Sequence, residues 1–274
     1  MVKDEDKLKD KAQEVVSDAL DVVEERVPVP VRPHLAILIP AAIGAFLLGL
    51  LTWAASEIYE AVTERDNLYL LDQPVLDAMV AIRQPWLTTV VGAFTQVGGT
   101  VISPILALAA VVLMSRLWRT WLPLTLMAAA GLGSIAVTVV GKNYIGRVRP
   151  PHEYAIAPFE SSPSFPSGHA LNAVVVAGVI GYLLFRRWHS RSARVAVVVL
   201  AVVYAVAMGL SRVYLGHHWL TDVMTGWLLG AAWLALVITT HLVSSALLSR
   251  RREARASGMQ EIASEDPRSD GPAS

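Results

Sequence analysis

Apolar residues are gathered into long blocks separated by short polar stretches. Leu35 to Ala55 contains no charged residue, and at about 1.5 Å per residue such a helix crosses a hydrocarbon core of about 30 Å. Comparable blocks run from about Trp121 to Val140, Ala170 to Phe185, Val195 to Leu210 and Asp222 to Leu248. Another starts near Trp86, breaks at Gly98-Gly99 and resumes from Val101 to Met114, which predicts a half-helix followed by a span. Residues 56–85 are polar and mixed. Val75, Met79 and Ile82 within them have the spacing of a short helix at the interface. The expected fold is therefore all-α: a polytopic membrane bundle of six transmembrane spans with short interfacial helices. No internal repeat is evident.

The two ends differ from this core. Residues 1–33 alternate acid and base before Val15, Val16, Leu20, Val22 and Val23, and Pro28, Pro30 and Pro33 set them apart. They read equally as an amphipathic surface helix or a solvated tail. The late apolar stretch and the acid-rich start argue against a cleaved signal peptide. Residues 34–249 form the expected membrane domain, and the polar tail 250–274 is expected to be disordered.

Composition agrees with lipid as the solvent: of 274 residues 54% are hydrophobic and 17% charged, with a mean hydropathy of +0.49. The 23 basic and 23 acidic residues balance, so no nucleic-acid footprint is present. Without cysteine there is no thiolate nucleophile, disulfide or zinc–cysteine site. Basic residues cluster at Arg116 and Arg119, at Arg186, Arg187, Arg191 and Arg194, and at Arg250, Arg251, Arg252 and Arg255. With six spans the positive-inside rule puts these clusters and both termini in the cytoplasm.

The remaining polar residues then share the outer rim. Lys142, Arg147 and Arg149 follow the third span; Ser167, Gly168 and His169 open the fourth. Ser211 and Arg212 end the fifth, and His217, His218 and Asp222 begin the sixth. Asp222 is the only acidic residue between Ser161 and Arg252 and lies four positions after His218. That spacing lets the carboxylate fix one imidazole nitrogen and leave the other free to attack; the competing reading is an ordinary interfacial hydrogen bond. Lys142 and Arg149 lie two helical turns apart, and two cations aimed at one point suit a phosphate. Headgroup snorkelling is the plainer alternative. Ser167 suits an N-cap, Gly168 permits close approach, and His169 is placed to protonate a leaving alkoxide.

Taken together, Lys142 with Arg149-Pro150, Pro166-Ser167-Gly168-His169, and Ser211-Arg212 with His218 and Asp222 resemble the three-part signature K-x6-RP, PSGH and SR-x5-H-x3-D. This is the signature of the type 2 phosphatidic acid phosphatase superfamily. The resemblance implies a membrane lipid phosphatase without cofactor or metal. His218 would be the nucleophile forming a phosphohistidine, Asp222 its orienter and His169 the general acid. Lys142, Arg149, Arg212, Ser167 and the Gly168 amide would hold the phosphoryl oxygens. Its partners would be membrane lipids and a lipid phosphate such as undecaprenyl diphosphate, phosphatidylglycerol phosphate, phosphatidic acid or diacylglycerol diphosphate. Oligomeric state is not legible. The loop before PSGH lacks the glycine-tyrosine pair of some members, and at Pro151 to Pro166 it is short for a lid, which favours sideways access for lipid.

Two other classes fit parts of the pattern. A metal-dependent lipid hydrolase would draw ligands from His152, Glu153, His169, His217, His218 and Asp222. A non-catalytic lipid-binding or transport protein would need neither imidazole. His34, His189 and His241 read as interfacial or bundle histidines. Trp53, Trp86, Trp118, Trp121 and Trp219 read as a membrane-interface belt.

Overall fold

The structure, a computed structural model, describes residues 32–264. Among them no strand occurs. Two compact units divide the chain, one from residues up to 43 with residues from 239 onward, the other from residues 44–238. In the first, Arg250 Nη1 lies 3.4 Å from His34 Nδ1. The second holds every candidate site residue.

The helices are α1 (Arg32–Glu64), α2 (Asp72–Ala81), α3 (Pro85–Val97), α4 (Ile102–Trp118), α5 (Leu122–Ile145), α6 (Gly168–Arg187), α7 (Arg191–Tyr214) and α8 (Leu220–Ser264). Five of them, α1, α5, α6, α7 and α8, are long and apolar enough to cross a membrane. The pair α3 and α4 qualifies together as a sixth span, bent by 55° at its break. That break is the predicted Gly98-Gly99 interruption. The chain is a multi-pass membrane protein.

Three boundaries differ from expectation. Helix α1 runs on to Glu64, because Glu57 and Glu60 favour helix as readily as the apolar residues before them. It stops before Arg65 and Asn67, which have φ of 61° and 46°. Residues 250–264, expected to be disordered, continue α8, being rich in Arg, Ala, Glu, Met and Gln. Residues 1–33, which read equally as an amphipathic helix or a solvated tail, lie outside the described residues except for the last two positions. Helix α2 appears where expected, but Val75 and Met79 pack on buried Ala170, Val213 and Val223, whereas Ile82 is exposed.

Leu171, Val175, Val179 and Leu183 form one stripe of α6, packed with Val111 of α4 and Leu126, Met127 and Ala130 of α5. In lipid, helices associate through close packing and hydrogen bonds more than through hydrophobic burial. Helix α8 follows this rule. A Cβ on Gly226 would stand 2.7 Å from the Ser167 carbonyl oxygen, and one on Gly230 2.8 Å from that of Leu171. These glycines bring α8 against the start of α6. Trp227 and Trp233 of α8 lie over Gly209 and Gly133 and donate indole hydrogen bonds to the Ala205 and Ala130 carbonyls at 3.0 and 2.9 Å.

Candidate active site

Four helix ends and two loops meet at one end of the 44–238 unit. Helix α5 ends beyond Lys142, where Gly146 adopts the left-handed conformation at φ 63° and returns its amide to the Lys142 carbonyl. Arg149 therefore sits in the extended segment after the helix and not two turns along it, which corrects the helical spacing argument. The two cations converge nonetheless. Lys142 Nζ is 3.3 Å and Arg149 Nη2 3.1 Å from Ser162 Oγ, and both side chains reach the Pro163 carbonyl.

Helix α6 begins as predicted. Ser167 is its N-cap, accepting from the Ala170 amide at 3.5 Å. A Cβ on Gly168 would meet the Thr138 methyl at 3.0 Å, so part of the room expected for a ligand over this glycine is taken by α5. His169 follows, half-buried and facing the cavity described below.

His217 and His218 lie in the turn between α7 and α8, two residues short of the helix on which a shared face was expected. Gly216 makes this turn, with φ 73° and no space for a Cβ against the Tyr154 carbonyl. Arg83 clamps the same region by donating to the Tyr154 and Tyr214 carbonyls at 2.8 and 2.5 Å. Asp222, at the third helical position, accepts from the Trp219 amide at 2.9 Å, as in a capping box. Its Oδ2 lies 3.4 Å from His218 Nδ1. Ser164 Oγ donates to the same carboxylate oxygen and stands 3.4 Å from Nδ1.

The tautomer follows from the other ring nitrogen. Arg149 Nη1 is 3.1 Å from His218 Nε2, and a guanidinium can only donate. Nε2 thus presents its lone pair, and the proton sits on Nδ1 toward Asp222 and Ser164. Burial, reinforced by the charges of Arg149 and Arg212, holds His218 well below its ordinary imidazole value. His217 is displaced the same way by burial and Arg212. It differs in geometry: Nε2 is 2.6 Å from the Ile156 carbonyl, and buried Nδ1 makes no hydrogen bond.

Sequence reasoning missed three participants. Glu160 pairs with Arg149 at 2.7 Å and with Arg212, so one carboxylate sits between the two candidate phosphate-binding arginines. Burial alone would raise its pKa, but the charges of Arg212 and Arg149 outweigh this and hold it at about 2. Thr95 accepts from Arg212 Nη1 at 3.0 Å, while Arg212 Nε is buried without a partner. Asp72 accepts from Arg147 at 2.6 Å, and Arg147 reaches Asp222 at 2.6 Å with its other nitrogen. Only Arg147 carried a signal, as a rim cation.

The site opens into a cavity of about 1050 Å³. Lys142, Glu160, His169, Arg212 and His218 line its polar end, and Leu108, Val111, Leu124, Met127 and Ile135 line its apolar reach between α4 and α5. Among the described residues, no three His, Asp or Glu side chains are grouped to hold a metal ion. Of the six residues named for a metal-dependent hydrolase, His169, His217 and His218 line this cavity and Asp222 lies against His218, while the His152 ring stacks edge-on against Phe159 at 5.2 Å.

The arrangement supplies an imidazole lone pair, a second imidazole and three cations around one anion position, beside an apolar cavity. Comparison with known proteins gives the family of the chain. The family model described as PAP2 superfamily matches residues 119–245. Phosphatidylglycerophosphatase B of Bacillus subtilis is 38% identical over 176 residues, covering 63% of this chain and 84% of the relative. A decaprenylphosphoryl-5-phosphoribose phosphatase of Mycobacterium tuberculosis is 35% identical over 139 residues, 48% of this chain and 68% of the relative. The crystal structure of a transmembrane PAP2-type phosphatidylglycerolphosphate phosphatase from Bacillus subtilis superposes with a TM-score of 0.60 at 34% identity, over 71% of this chain and 93% of that one.

Proposed function

The chain belongs to the PAP2 superfamily and is a membrane lipid phosphatase, and on that premise we propose that His218 carries the phosphoryl group as a phosphohistidine. Support comes above all from one observation: His218 Nε2 lies 3.1 Å from Arg149 Nη1 while Nδ1 lies 3.4 Å from Asp222, a geometry that leaves the lone pair on Nε2. Nε2 attacks phosphorus, and the bond from phosphorus to the lipid oxygen breaks. His169 gives that oxygen a proton. Water, deprotonated by His169, then attacks the phosphohistidine; the N–P bond breaks, phosphate leaves and His218 is regenerated. Lys142, Arg149 and Arg212 stabilise the equatorial oxygens, with Ser167 and the Gly168 amide at the start of α6. The incoming phosphoryl group takes the position that the Glu160 carboxylate holds between Arg149 and Arg212.

The substrate is a lipid whose tail fills the apolar reach of the cavity and whose terminal phosphate or diphosphate meets the cations. Phosphatidylglycerol phosphate, the class named in the B. subtilis relatives, and polyprenyl diphosphates both meet this requirement. The rim lies at the opposite end of α5, α6 and α7 from Arg119, Arg186 and Arg191, which supports an outward-facing site with cytoplasmic termini.

Phosphate release by the detergent-purified protein in excess EDTA, with His218→Ala alongside, tests this reading. EDTA-resistant release, lowered roughly 10⁴-fold by the substitution, is expected. Release abolished by EDTA, or retained by His218→Ala, would overturn it.

A further inference from the structure

Asp222 is not an isolated orienter. Its Oδ1 accepts from Arg147 Nη1 at 2.6 Å, and Arg147 Nη2 donates to Asp72 Oδ2, also at 2.6 Å. Asp72 opens α2 and is buried, as is Asp222. Its carboxylate also accepts from the Thr221 amide at 2.9 Å and from the Thr221 hydroxyl at 2.7 Å. The guanidinium is held on its faces as well, 5.6 Å from the ring centroids of both Tyr69 and Trp219. With the Thr221 hydroxyl, which accepts from Arg147 Nη1 at 2.8 Å, five groups hold this one arginine, two of them carboxylates.

The charge of this assembly matters more than its count of bonds. Asp72, Arg147 and Asp222 together carry one net negative charge; Arg147 and Asp222 alone would carry none. When Nε2 bonds to phosphorus while Nδ1 keeps its proton, the ring becomes cationic. The other groups whose charges act on His218 are Arg149, Arg212 and Lys142, all cationic, and Glu160. Phosphoryl entry displaces Glu160 from the arginines. The charge facing Nδ1 is then set by the Asp72–Arg147–Asp222 assembly.

We propose that Asp72 is a positioning residue for the phosphatase reaction, acting through Arg147 to leave Asp222 with a net negative charge directed at Nδ1 of His218. It touches no substrate. By holding Arg147 from the far side, it prevents that arginine from neutralising Asp222 completely. It also fixes the start of α8, so charge and orientation come from one contact. This inference rests on the reading of His218 and Asp222 given above.

The test is a cycle of Asp72→Asn, Asp222→Asn and the double variant, with kcat and KM measured for one lipid phosphate and folding followed by size-exclusion profile and thermal melt. Asp72→Asn is expected to lower kcat about 10- to 100-fold with KM changed less than about threefold. It should cost nothing further in the Asp222→Asn background, because its effect passes through that carboxylate. Wild-type kcat in folded Asp72→Asn, or losses that multiply in the double variant, would overturn the proposal. Removing one member of a buried pair also threatens folding. Arg147→Lys, which keeps the charge but cannot bridge two carboxylates, is therefore measured in parallel. It should show the same kcat loss; wild-type kcat in it, or failure of both variants to fold, would make the pair merely structural. A folded Asp222→Asn with wild-type turnover would instead strike the underlying reading of the dyad.

Discussion

At one end of the 44–238 unit Arg147, Arg149 and Arg212 are half-buried or buried, and each is held by two or more side chains or carbonyls. At the other end Arg116, Arg119, Arg187 and Arg191 are exposed. Arg194 there lies over the Phe185 ring at 4.8 Å and donates to the Trp188 carbonyl. The same residue type serves two physical roles. An exposed set acts through its summed charge, the quantity on which the positive-inside rule rests, and tolerates loss of a member. On the proposed reading the buried set acts through geometry, because each guanidinium is already fixed by its own partners. Arginine count predicts topology, whereas arginine confinement predicts chemistry.

That contrast can be broken at several points. The largest effect is expected from Arg212→Lys, which keeps the charge but loses the planar fork toward Glu160 and Thr95. kcat/KM for lipid phosphate should fall about 10²- to 10³-fold, and near-normal turnover would reduce the buried set to plain charge. A smaller effect concerns pH. His218 is held below 6.5 by burial, Arg149 and Arg212, so it stays neutral in the fold while the unfolded chain takes up a proton near that pH. The stability tied to this group is therefore complete above the unfolded value and is lost as pH falls through and below about 6.5. Between pH 7.5 and 6.5 the ring ¹⁵N shifts of His218 should remain those of a neutral imidazole, and half-protonation at 6.5 would contradict the burial argument. The smallest effect belongs to the exposed set. Arg187→Gln should change kcat/KM by less than about twofold, and a tenfold loss would mean that the two ends are coupled.

Much of the fold was legible because lipid imposes long apolar blocks. Even the broken second span announced itself through Gly98-Gly99. The candidate residues that the structure brings together were legible where spacing is local: Ser167, Gly168 and His169 on one helix start, and His218 with Asp222 four residues on. Their convergence required only that helix ends share a rim. Asp72, Thr95 and Glu160 were not legible. Asp72 meets Arg147 across 75 positions, and α2 read simply as an interfacial helix. Glu160 lies in a loop that read only as short for a lid, yet that loop places Glu160, Ser162, Pro163 and Ser164 at the site. The predicted placement of Arg149 on the α5 helix failed for a local reason, the left-handed turn at Gly146. Spacing in sequence still carried the right partner, because an extended segment covers the remaining distance.

The Glu160 carboxylate lies between Arg149 and Arg212 as a tethered competitor. A side chain held by its own loop has an effective concentration in the millimolar range or above. Any anion entering the site must win that exchange. Free inorganic phosphate has only its own oxygens to offer, whereas a lipid adds tail burial in the adjoining cavity. On the proposed reading of the site, the internal carboxylate works as a threshold: it makes the cationic cradle a poor trap for released phosphate and leaves the tail, more than the headgroup, to decide what stays bound long enough to react.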